Sequence, residues 1–589
     1  METGSDPADL ARREPHAADR ERLFAPWLAG AVLAALAVRT VLFWLRGDYL
    51  DYDEAMYLLL ARSLLENGAP LLNGLPHTAL GPLVPALTAG LAKSLGLELL
   101  TAQRMLSALA GALLLVPVWS LLRPSAGPRV ARLAVTLLVV WPALIDVAPK
   151  YGPMWSHMYA GSEPIYLSLL FSALAVGETA LRRRGATGLL LAAAAGGLLA
   201  LAYMARAEAV VFGAVYAIVR GLQALRRREP LRRASAVAGL AAAGFLAVAV
   251  PQLSYLHRVT GSWIVSGQTA VMSPTAETLQ EVFRDERNLT NYVFTWYRMD
   301  HEHTHLLNPY WGTPNDVDRD VQLGRFALVA GAGTPVSRAW PARLANRLLN
   351  FFYMLWTLCG PLFLPFAVLG LVGARRHDVP AFVVAGLATS LIIGFYLAVL
   401  PRFFLFLLPA LALWAAYGID LLVNLCGSRR WLATRLAVSL LIAASLAIVV
   451  YRSVGEYATQ LKVAAEADRE VAEDLAAAFP EVDRFMHWHP RVAYWAGWDW
   501  RPMPAESLDA VAHYCSRIGV EHMLLAPVGH NPLRMEAPYL VITIGHELAD
   551  ALREIVPADG QHEHPPMRLD RAPLIAGYPT ALLDLGEER

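Results

Sequence analysis

Long apolar runs recur from about residue 24 to about residue 451, and they constrain the fold of this chain more than any other feature. Each run is close to the ~20 residues that a helix needs to cross the hydrocarbon core of a bilayer. The chain has 589 residues, of which 56% are hydrophobic and 17% are charged. This composition excludes an ordinary soluble protein and predicts a mainly α-helical, polytopic membrane protein.

The loops between these runs alternate between arginine-rich segments and segments that carry acids or histidines. Because short cytoplasmic loops carry most of the Lys and Arg, the arginine pairs and triplets predict which loops are cytoplasmic, and the pattern gives about eleven spans. The N-terminus is then cytoplasmic and the C-terminus extracytoplasmic. The predicted spans lie at about 24–45, 102–122, 130–149, 164–181, 187–204, a sixth that ends at Arg226, 234–256, 350–373, a ninth that ends at Pro401, 403–424 and 431–451.

One apolar segment, 81–97, is short and has prolines near its start. If it crossed the membrane, Arg123, Arg129 and Arg132 would lie outside, against the pattern of the other arginine clusters. We therefore predict that 81–97 is a surface or half-buried helix.

This topology divides the chain into three parts. The first apolar run is too long for the h-region of a signal peptide, and no small-residue cleavage pattern follows it, so we expect an uncleaved span. Residues 452–589 alternate short apolar runs with helical patterns, which predicts a small extracytoplasmic α/β domain. The parts are a cytoplasmic tail at 1–23, a transmembrane domain at 24–451 with outer loops at 46–101, 150–163 and 257–340, and the C-terminal domain at 452–589.

A cluster of carboxylates follows the first span directly. Asp48, Asp51, Asp53 and Glu54 fall within one short stretch. The residues after them have the periodicity of a helix with one apolar face, and acids are favoured at the start of a helix. We predict a short helix on the membrane surface, with the alternative that the acids merely mark a polar membrane exit. The apolar face would consist of Tyr57, Leu60, Ala61, Leu64 and Leu65.

The topology places further ionisable residues at the same, outer level. Such groups are costly at bilayer depth and usually face a cavity or a partner, so a shared polar cavity is one interpretation and a set of interfacial salt bridges is the other. They are His77, Lys150, His157, Glu163, Arg206, Glu208 and Arg402.

The long outer loop contains the run Asp300-His301-Glu302-His303-Thr304-His305. In an extended segment the alternate residues His301, His303 and His305 point to one side and could hold a divalent metal, although they could equally be solvated loop histidines. The sequence has no Walker loop, nucleophile elbow or HExxH motif, so it does not support a nucleotide-dependent or serine-hydrolase activity. The net charge of zero gives no indication of a nucleic-acid partner, and none is expected.

Several of these segments together resemble a known superfamily. Asp53-Glu54-Ala55-Met56-Tyr57, followed by Ala61 to Gly68, resembles the first outer loop of GT-C-fold glycosyltransferases, in particular family 39 and the lipid A aminoarabinose and galacturonosyl transferases. The resemblance covers about residues 24–425. It also rests on His77 to Pro85, Gln103-Arg104, Ser162-Glu163-Pro164, Leu201 to Glu208 and Pro401-Arg402-Phe403-Phe404 to Pro409.

The resemblance implies a role for each candidate residue. Asp53 would be the general base, Glu54 and Glu163 would shape the acceptor site, and Arg206 and Arg402 would bind the phosphate of the lipid donor. Asp51, His77 and Glu208 would contact the acceptor or support the site. The chain departs from the aminoarabinose branch at Leu75-Pro76-His77-Thr78, where that branch has an acidic-Lys-Pro-Pro motif, so His77 could replace a metal or phosphate contact.

These expectations combine into one functional hypothesis. The chain would transfer a sugar, with inversion, from a polyprenyl-phosphate donor to a cell-envelope acceptor (lipid, glycan or protein) on the outer side of a bacterial inner membrane. A transporter or lipid flippase is the alternative from another class; it predicts charges at mid-depth, broken helices and two related halves. A homologue that binds the acceptor without catalysis is the third hypothesis.

Overall fold

A computed structural model describes most of the membrane domain and parts of the C-terminal region. Predictions that fall on other residues lie outside the described part of the chain. The described residues are 24–48, 50, 52–72, 75–78, 80–141, 144, 161–226, 231–261, 263–266, 340–373, 379–396, 401–424, 430–454, 468–470, 472–473, 476–477, 480, 483–487, 490–502, 522–525, 568–570 and 581–584.

Helices dominate the described chain. In order they are α1 (Phe24–Arg46), α2 (Tyr52–Asn67), α3 (Leu83–Leu95), α4 (Leu99–Leu113), α5 (Leu115–Val139), α6 (Glu163–Arg182), α7 (Gly185–Ala205), α8 (Glu208–Arg226), α9 (Leu231–Thr260), α10 (Trp340–Gly373), α11 (Ala381–Tyr396), a 3₁₀ helix (Pro401–Leu407), α12 (Leu408–Asn424) and α13 (Arg430–Val454). A two-residue hairpin, β1 (Leu71–Leu72) and β2 (Leu75–Pro76), lies between α2 and α3.

Within the described residues, seven helical segments are long and apolar enough to cross a membrane. They are Pro26–Trp44, Leu99–Val139, Glu163–Arg182, Gly185–Ala205, Glu208–Arg226, Arg232–Val259 and Arg402–Asn424. Shorter apolar helices occupy parts of the other predicted spans, at Leu362–Gly373, Ala381–Ile393 and Thr434–Ala447. The total of about eleven spans stays a prediction.

The helical segment from Leu99 to Val139 is interrupted in its second half. Gly127 has a φ of 75° and a ψ of 164°, which breaks the helix between the predicted second and third spans. Before the break, Arg104 donates to the Gly47 carbonyl at the end of α1, and Trp119 contacts Trp27 near its beginning, with ring centroids 5.4 Å apart. After the break, Arg132 returns to the Trp27 ring at 5.5 Å.

Arginines near the predicted cytoplasmic ends of the spans contact residues of other helices or loops. Arg129 forms an ion pair with Asp420 at 3.0 Å, and Arg220 forms one with Glu178 at 3.2 Å. Arg233 donates to the carbonyl of Arg183. The predicted alternation of cytoplasmic and outer loops stays a prediction.

Small residues allow pairs of these helices to approach closely. A Cβ atom on Gly196 or Gly244 would overlap the backbone of the facing helix in the α7–α9 pair, and Gly370 and Gly418 play the same part between α10 and α12. Small-xxx-small contacts of this kind are typical of helix packing in membranes, where dispersion contacts replace the hydrophobic driving force.

Helix α2 differs from the amphipathic surface helix that the sequence predicted. Every residue from Glu54 to Ala61 is buried, so burial is not confined to one face, whereas Leu65 is 42% exposed. The difference arises because α2 packs against α3 and against the C-terminal region. The short helix α3 lies within the segment 81–97, and six of its 13 residues are buried. Its predicted place at the membrane surface stays a prediction.

Five short strands in the C-terminal region form one mixed sheet in the order β4-β3-β5-β7-β6. β3 pairs in parallel with β4 and β5, while β7 pairs antiparallel with β5 and β6. Helix α14 (Pro490–Ala496) follows β3 and packs on α2. The strands are β3 (Arg484–His487), β4 (Asp499–Pro502), β5 (His522–Leu525), β6 (Arg568–Asp570) and β7 (Ala581–Asp584).

Two contacts connect this C-terminal region to the segment that carries Asp53. Arg62 of α2 donates to the carbonyl of Tyr494 at 2.5 Å and lies 4.8 Å from the centroid of its ring. Arg469 forms an ion pair with Asp48 at 2.8 Å, but both side chains are about half exposed, which makes this pair a weak one.

Candidate active site

The first part of the site is an ion pair between two residues that are distant in sequence. Asp53 lies in the first turn of α2, and Arg402 is the second residue of the 3₁₀ helix. The Arg402 Nη1 atom donates to Asp53 Oδ2 at 2.5 Å. Both side chains are about one-fifth exposed, so the pair lies at an accessible edge rather than in the interior.

The second part is a buried cluster around Arg206. Helix α7 ends at Ala205 and α8 begins at Glu208, so Arg206 occupies the tight turn that the sequence predicted, with an extended backbone. Its guanidinium donates to Glu163 at 2.6 Å, to Glu208 at 2.7 Å and to Ser162 at 3.3 Å. Glu163 and Glu208 are the first residues of α6 and α8, where the helix dipoles favour a carboxylate.

Phe403 joins the two parts. The Arg206 Cζ atom lies 5.3 Å from the centroid of its ring, and the Arg402 Cζ atom lies 5.5 Å from it. Both distances are within the range of a cation–π contact. Two guanidinium groups and three carboxylates, from Asp53, Glu163 and Glu208, therefore meet in one site, where they form ion pairs.

The proline-rich segment before α3 packs directly against the backbone next to Arg206. A Cβ atom on Gly81 would overlap the carbonyl of Met204 and would lie 2.7 Å from that of Ala205. Only glycine allows so close an approach. Gly81 is thus part of the support for the turn that carries Arg206.

Two tyrosines complete the walls of the site. Tyr57, one turn after Asp53, is buried, and so is Ser162. Burial, and next the charge of Asp53, raise the pKa of Tyr57 above its ordinary value, so its hydroxyl stays protonated. Tyr166, three residues after Glu163, lies on the same side of α6 and is also buried.

Glu54 belongs to a different cluster from its neighbour Asp53. Its Oε1 atom accepts a hydrogen bond from Arg104 Nε at 3.3 Å, and Arg104 also donates to the Gly47 carbonyl. Because adjacent residues of a helix point about 100° apart, Glu54 connects α2 to α4 and to the end of α1, while Asp53 faces Arg402.

His77 is buried in the loop before α3. Its Nε2 atom accepts a hydrogen bond from the backbone N–H of Leu80 at 2.9 Å, and its carbonyl accepts one from Tyr255 at 2.9 Å. Burial lowers the pKa of His77 to about 4. These contacts describe a neutral imidazole that holds the loop, and the predicted roles of His77 at the site stay predictions.

Some predicted site residues lie outside the described part of the chain. These are Asp51, Lys150, His157, His301, His303 and His305. Among the residues that the structure does describe, no group of three or more His, Cys, Asp or Glu side chains could hold a metal ion. The metal site therefore stays a prediction.

Four residues of the site were not among the sequence-predicted candidates: Tyr57, Ser162, Tyr166 and Phe403. Each had a signal, because Tyr57 is four residues after Asp53, Ser162 and Tyr166 flank Glu163, and Phe403 follows Arg402. Aromatic and hydroxyl residues are common in apolar segments, however, and only the three-dimensional contacts distinguish these four.

The chain is similar to solved proteins in its three-dimensional structure. No family model and no curated protein matches the chain. ArnT from Cupriavidus metallidurans bound to undecaprenyl phosphate aligns over 96% of this chain and 98% of its own, with a TM-score of 0.54 and 12% identity. Its apo form aligns over 95% and 98%, with a TM-score of 0.54 and 13% identity.

The archaeal oligosaccharyltransferase AglB from Archaeoglobus fulgidus, in complex with an inhibitory peptide and a dolichol-phosphate, aligns over 90% of this chain and 72% of its own. Its TM-score is 0.51 and its identity 12%. At such identities the likeness concerns the fold. The predicted GT-C fold is confirmed, and the chain is a multi-pass membrane protein.

Proposed function

We propose that this chain is an inverting glycosyltransferase that moves a sugar from a polyprenyl-phosphate donor to a cell-envelope acceptor. The fold supports the proposal, because it is shared with ArnT, which was solved with undecaprenyl phosphate, and with AglB, which was solved with a dolichol-phosphate and a peptide. Fold alone does not determine function, so the proposal depends on the site.

The main support for the proposal is that Arg206 and Arg402 both lie against the aromatic ring of Phe403. Arginine presents paired donors that match the oxygens of a phosphate. Both guanidiniums contact carboxylates in this structure, and a donor phosphate would exchange with one of these carboxylates. We assign phosphate binding to the two arginines on this basis.

Asp53 is the carboxylate best placed to be exchanged and to act as base. When the phosphate takes up Arg402, the Asp53 carboxylate loses that partner and can accept a proton from an acceptor hydroxyl or amine. The acceptor atom then forms a bond to the anomeric carbon. The bond from that carbon to the phosphate oxygen breaks, and the polyprenyl phosphate leaves with the electron pair. Attack opposite to the leaving phosphate inverts the anomeric centre.

The same proposal includes an orientation. The site end would face the outer side of a bacterial inner membrane, with the N-terminus in the cytoplasm and residues 452–589 outside as an α/β domain that positions the acceptor. The arginine-rich end, with Arg129 and Arg220, would face the cytoplasm in accordance with the distribution of positive charge in membrane proteins.

The test is the variant Asp53→Asn in the purified full chain, with radiolabelled polyprenyl-phosphate sugars. We expect transfer to fall by about 10²- to 10⁴-fold, because the amide cannot take up the acceptor proton. Asp420→Asn is the matched control, since Asp420 also pairs with an arginine but at the opposite end of the bundle. If the Asp53→Asn variant transferred the sugar at the wild-type rate, Asp53 would not be the base.

The proposed divalent metal has its own test. Stripping with a chelator, followed by metal analysis and an activity assay, should lower transfer if His301, His303 and His305 hold an ion that the reaction needs. Unchanged activity and no bound metal would end that part of the proposal.

A further inference from the structure

Two buried polar atoms beside Arg206 have no hydrogen-bond partner. Tyr166 is 3% exposed, and the side chain of Glu208 is 9% exposed. The Tyr166 hydroxyl and the Oε2 atom of Glu208 both lack a partner in the described structure, although Glu208 Oε1 accepts a hydrogen bond from Arg206. Buried polar atoms are nearly always paired, so two such atoms at one place need an explanation.

Both atoms belong to the same cluster. Tyr166 follows Glu163 by three residues on α6, which places the two side chains on one face of the helix. Arg206 connects Glu163 to Glu208, because its guanidinium donates to both carboxylates. Tyr166 is buried next to this cluster and does not face the lipid.

The hydrogen-bonding properties of the Tyr166 hydroxyl and Glu208 Oε2 restrict the chemical groups that can bind to both. The phenol can donate a hydrogen bond, and the carboxylate oxygen can only accept one. An ionised phosphate oxygen accepts but cannot donate, and an ammonium group donates but cannot accept. A hydroxyl group does both, so it can accept from Tyr166 and donate to Glu208 at once.

We propose that Tyr166 and Glu208 form a binding subsite for a sugar-type hydroxyl, next to the phosphate-binding arginines. The subsite rests on the proposed transferase function and adds a contact that selects among sugars. The hydroxyl comes either from the sugar of the donor or from the acceptor, and binding measurements separate these two sources.

The test uses Tyr166→Phe in the full-length protein, which removes one oxygen atom and keeps the ring. We measure thermal stability without ligand, and binding of undecaprenyl phosphate with and without an attached glucose, galactose, mannose or arabinose. We expect unchanged or higher stability, because an unpaired buried hydroxyl is removed. Affinity for at least one sugar-bearing lipid, or for the acceptor, should fall by about tenfold, whereas affinity for bare undecaprenyl phosphate should not change.

Tyr216→Phe is the matched control. Tyr216 donates to Glu178 at 2.6 Å near the opposite end of the bundle, so its loss should lower stability without changing lipid preference. The two tyrosines are thus expected to respond in opposite ways to the same substitution.

The outcomes are distinct. A loss confined to sugar-bearing lipids identifies the donor sugar as the source, and a loss confined to the KM of the acceptor identifies the acceptor; both support the subsite. Wild-type affinities for every lipid and acceptor overturn it, as does an equal loss for bare undecaprenyl phosphate. If the wild-type chain binds no polyprenyl phosphate at all, it is the proposed function that fails, and this result is separate from the effect of Tyr166→Phe.

Discussion

Replacement of Arg206 by methionine separates the two roles that we assign to this residue. Arg206 is the cation between Glu163 and Glu208, whose side chains are only 3% and 9% exposed. Methionine keeps much of the length of the side chain but removes the charge. Two buried carboxylates would then face each other without the guanidinium that now neutralises them.

The expected loss of stability is large. Removing one partner of a buried ion pair costs about 3–5 kcal/mol, because a charge is left buried and uncompensated. Here one arginine serves two carboxylates, at 2.6 and 2.7 Å, so we expect the upper part of that range. The midpoint of denaturation in detergent, followed by tryptophan fluorescence, measures the change.

A triple variant provides the control. In Arg206→Met combined with Glu163→Gln and Glu208→Gln, no uncompensated charge is left buried in the cluster, and that uncompensated charge is the main cost of breaking a buried ion pair. We expect most of the lost stability to return. Affinity for undecaprenyl phosphate should stay low, because the phosphate-binding guanidinium is still missing.

The stability of the single variant and the lipid affinity of the triple variant test the two roles of Arg206 separately. A single variant as stable as the wild type would show that the carboxylates do not depend on Arg206. A triple variant that binds undecaprenyl phosphate with wild-type affinity would show that Arg206 is not a phosphate ligand.

Three further predictions concern the parts that support the site. The pKa of His77 is lowered to about 4 from an ordinary value of 6.5, so the folded state should lose about 3 kcal/mol of stability as the pH falls from about 6.5 to about 4. The variant His77→Gln should remove this part of the pH dependence of the denaturation midpoint. An unchanged pH dependence in that variant would contradict the assignment to His77. Gly370→Ala should destabilise the protein by about 1–3 kcal/mol in a thermal denaturation assay, since the added Cβ would overlap the backbone of Trp414. Gly221→Ala is the control: this helical glycine has open space around it, so the variant should be as stable as the wild type or more stable. Arg62→Ala removes the contact of α2 with Tyr494 and should raise the rate of amide hydrogen exchange in α2. An unchanged exchange rate in this variant would mean that the C-terminal region does not stabilise the helix.

The sequence allowed the helical architecture and the composition of the site to be predicted for physical reasons. A membrane requires long apolar helices, and the distribution of arginines orders them, so Glu163, Arg206 and Arg402 could be placed at one level before any contact was known. The 3₁₀ conformation of the segment that carries Arg402, by contrast, replaces the start of a predicted span and has no clear signal in an apolar sequence.

The partners of each charged residue could not be predicted in the same way. Asp53 and Glu54 are adjacent, and the sequence assigned both to the reaction site, yet Asp53 pairs with a residue 349 positions away and Glu54 with one 50 positions away. The rotation of α2 determines this division, and that rotation depends on its packing against α3 and the C-terminal region. Tertiary contacts that bury α2 on several sides also explain why its amphipathic pattern was misleading.

The distribution of exposure within the site argues for Asp53 as the mobile carboxylate. Three carboxylates and two guanidiniums are in contact there, so a donor phosphate would add negative charge to a site that already has one carboxylate in excess. One carboxylate must therefore give up its arginine, and the least costly one is the one that water can reach. Asp53 is 21% exposed, whereas Glu163 is 3% and Glu208 is 9% exposed. Burial would keep the two glutamates on Arg206, and the exchange of Asp53 for phosphate at Arg402 would couple donor binding to the release of the base.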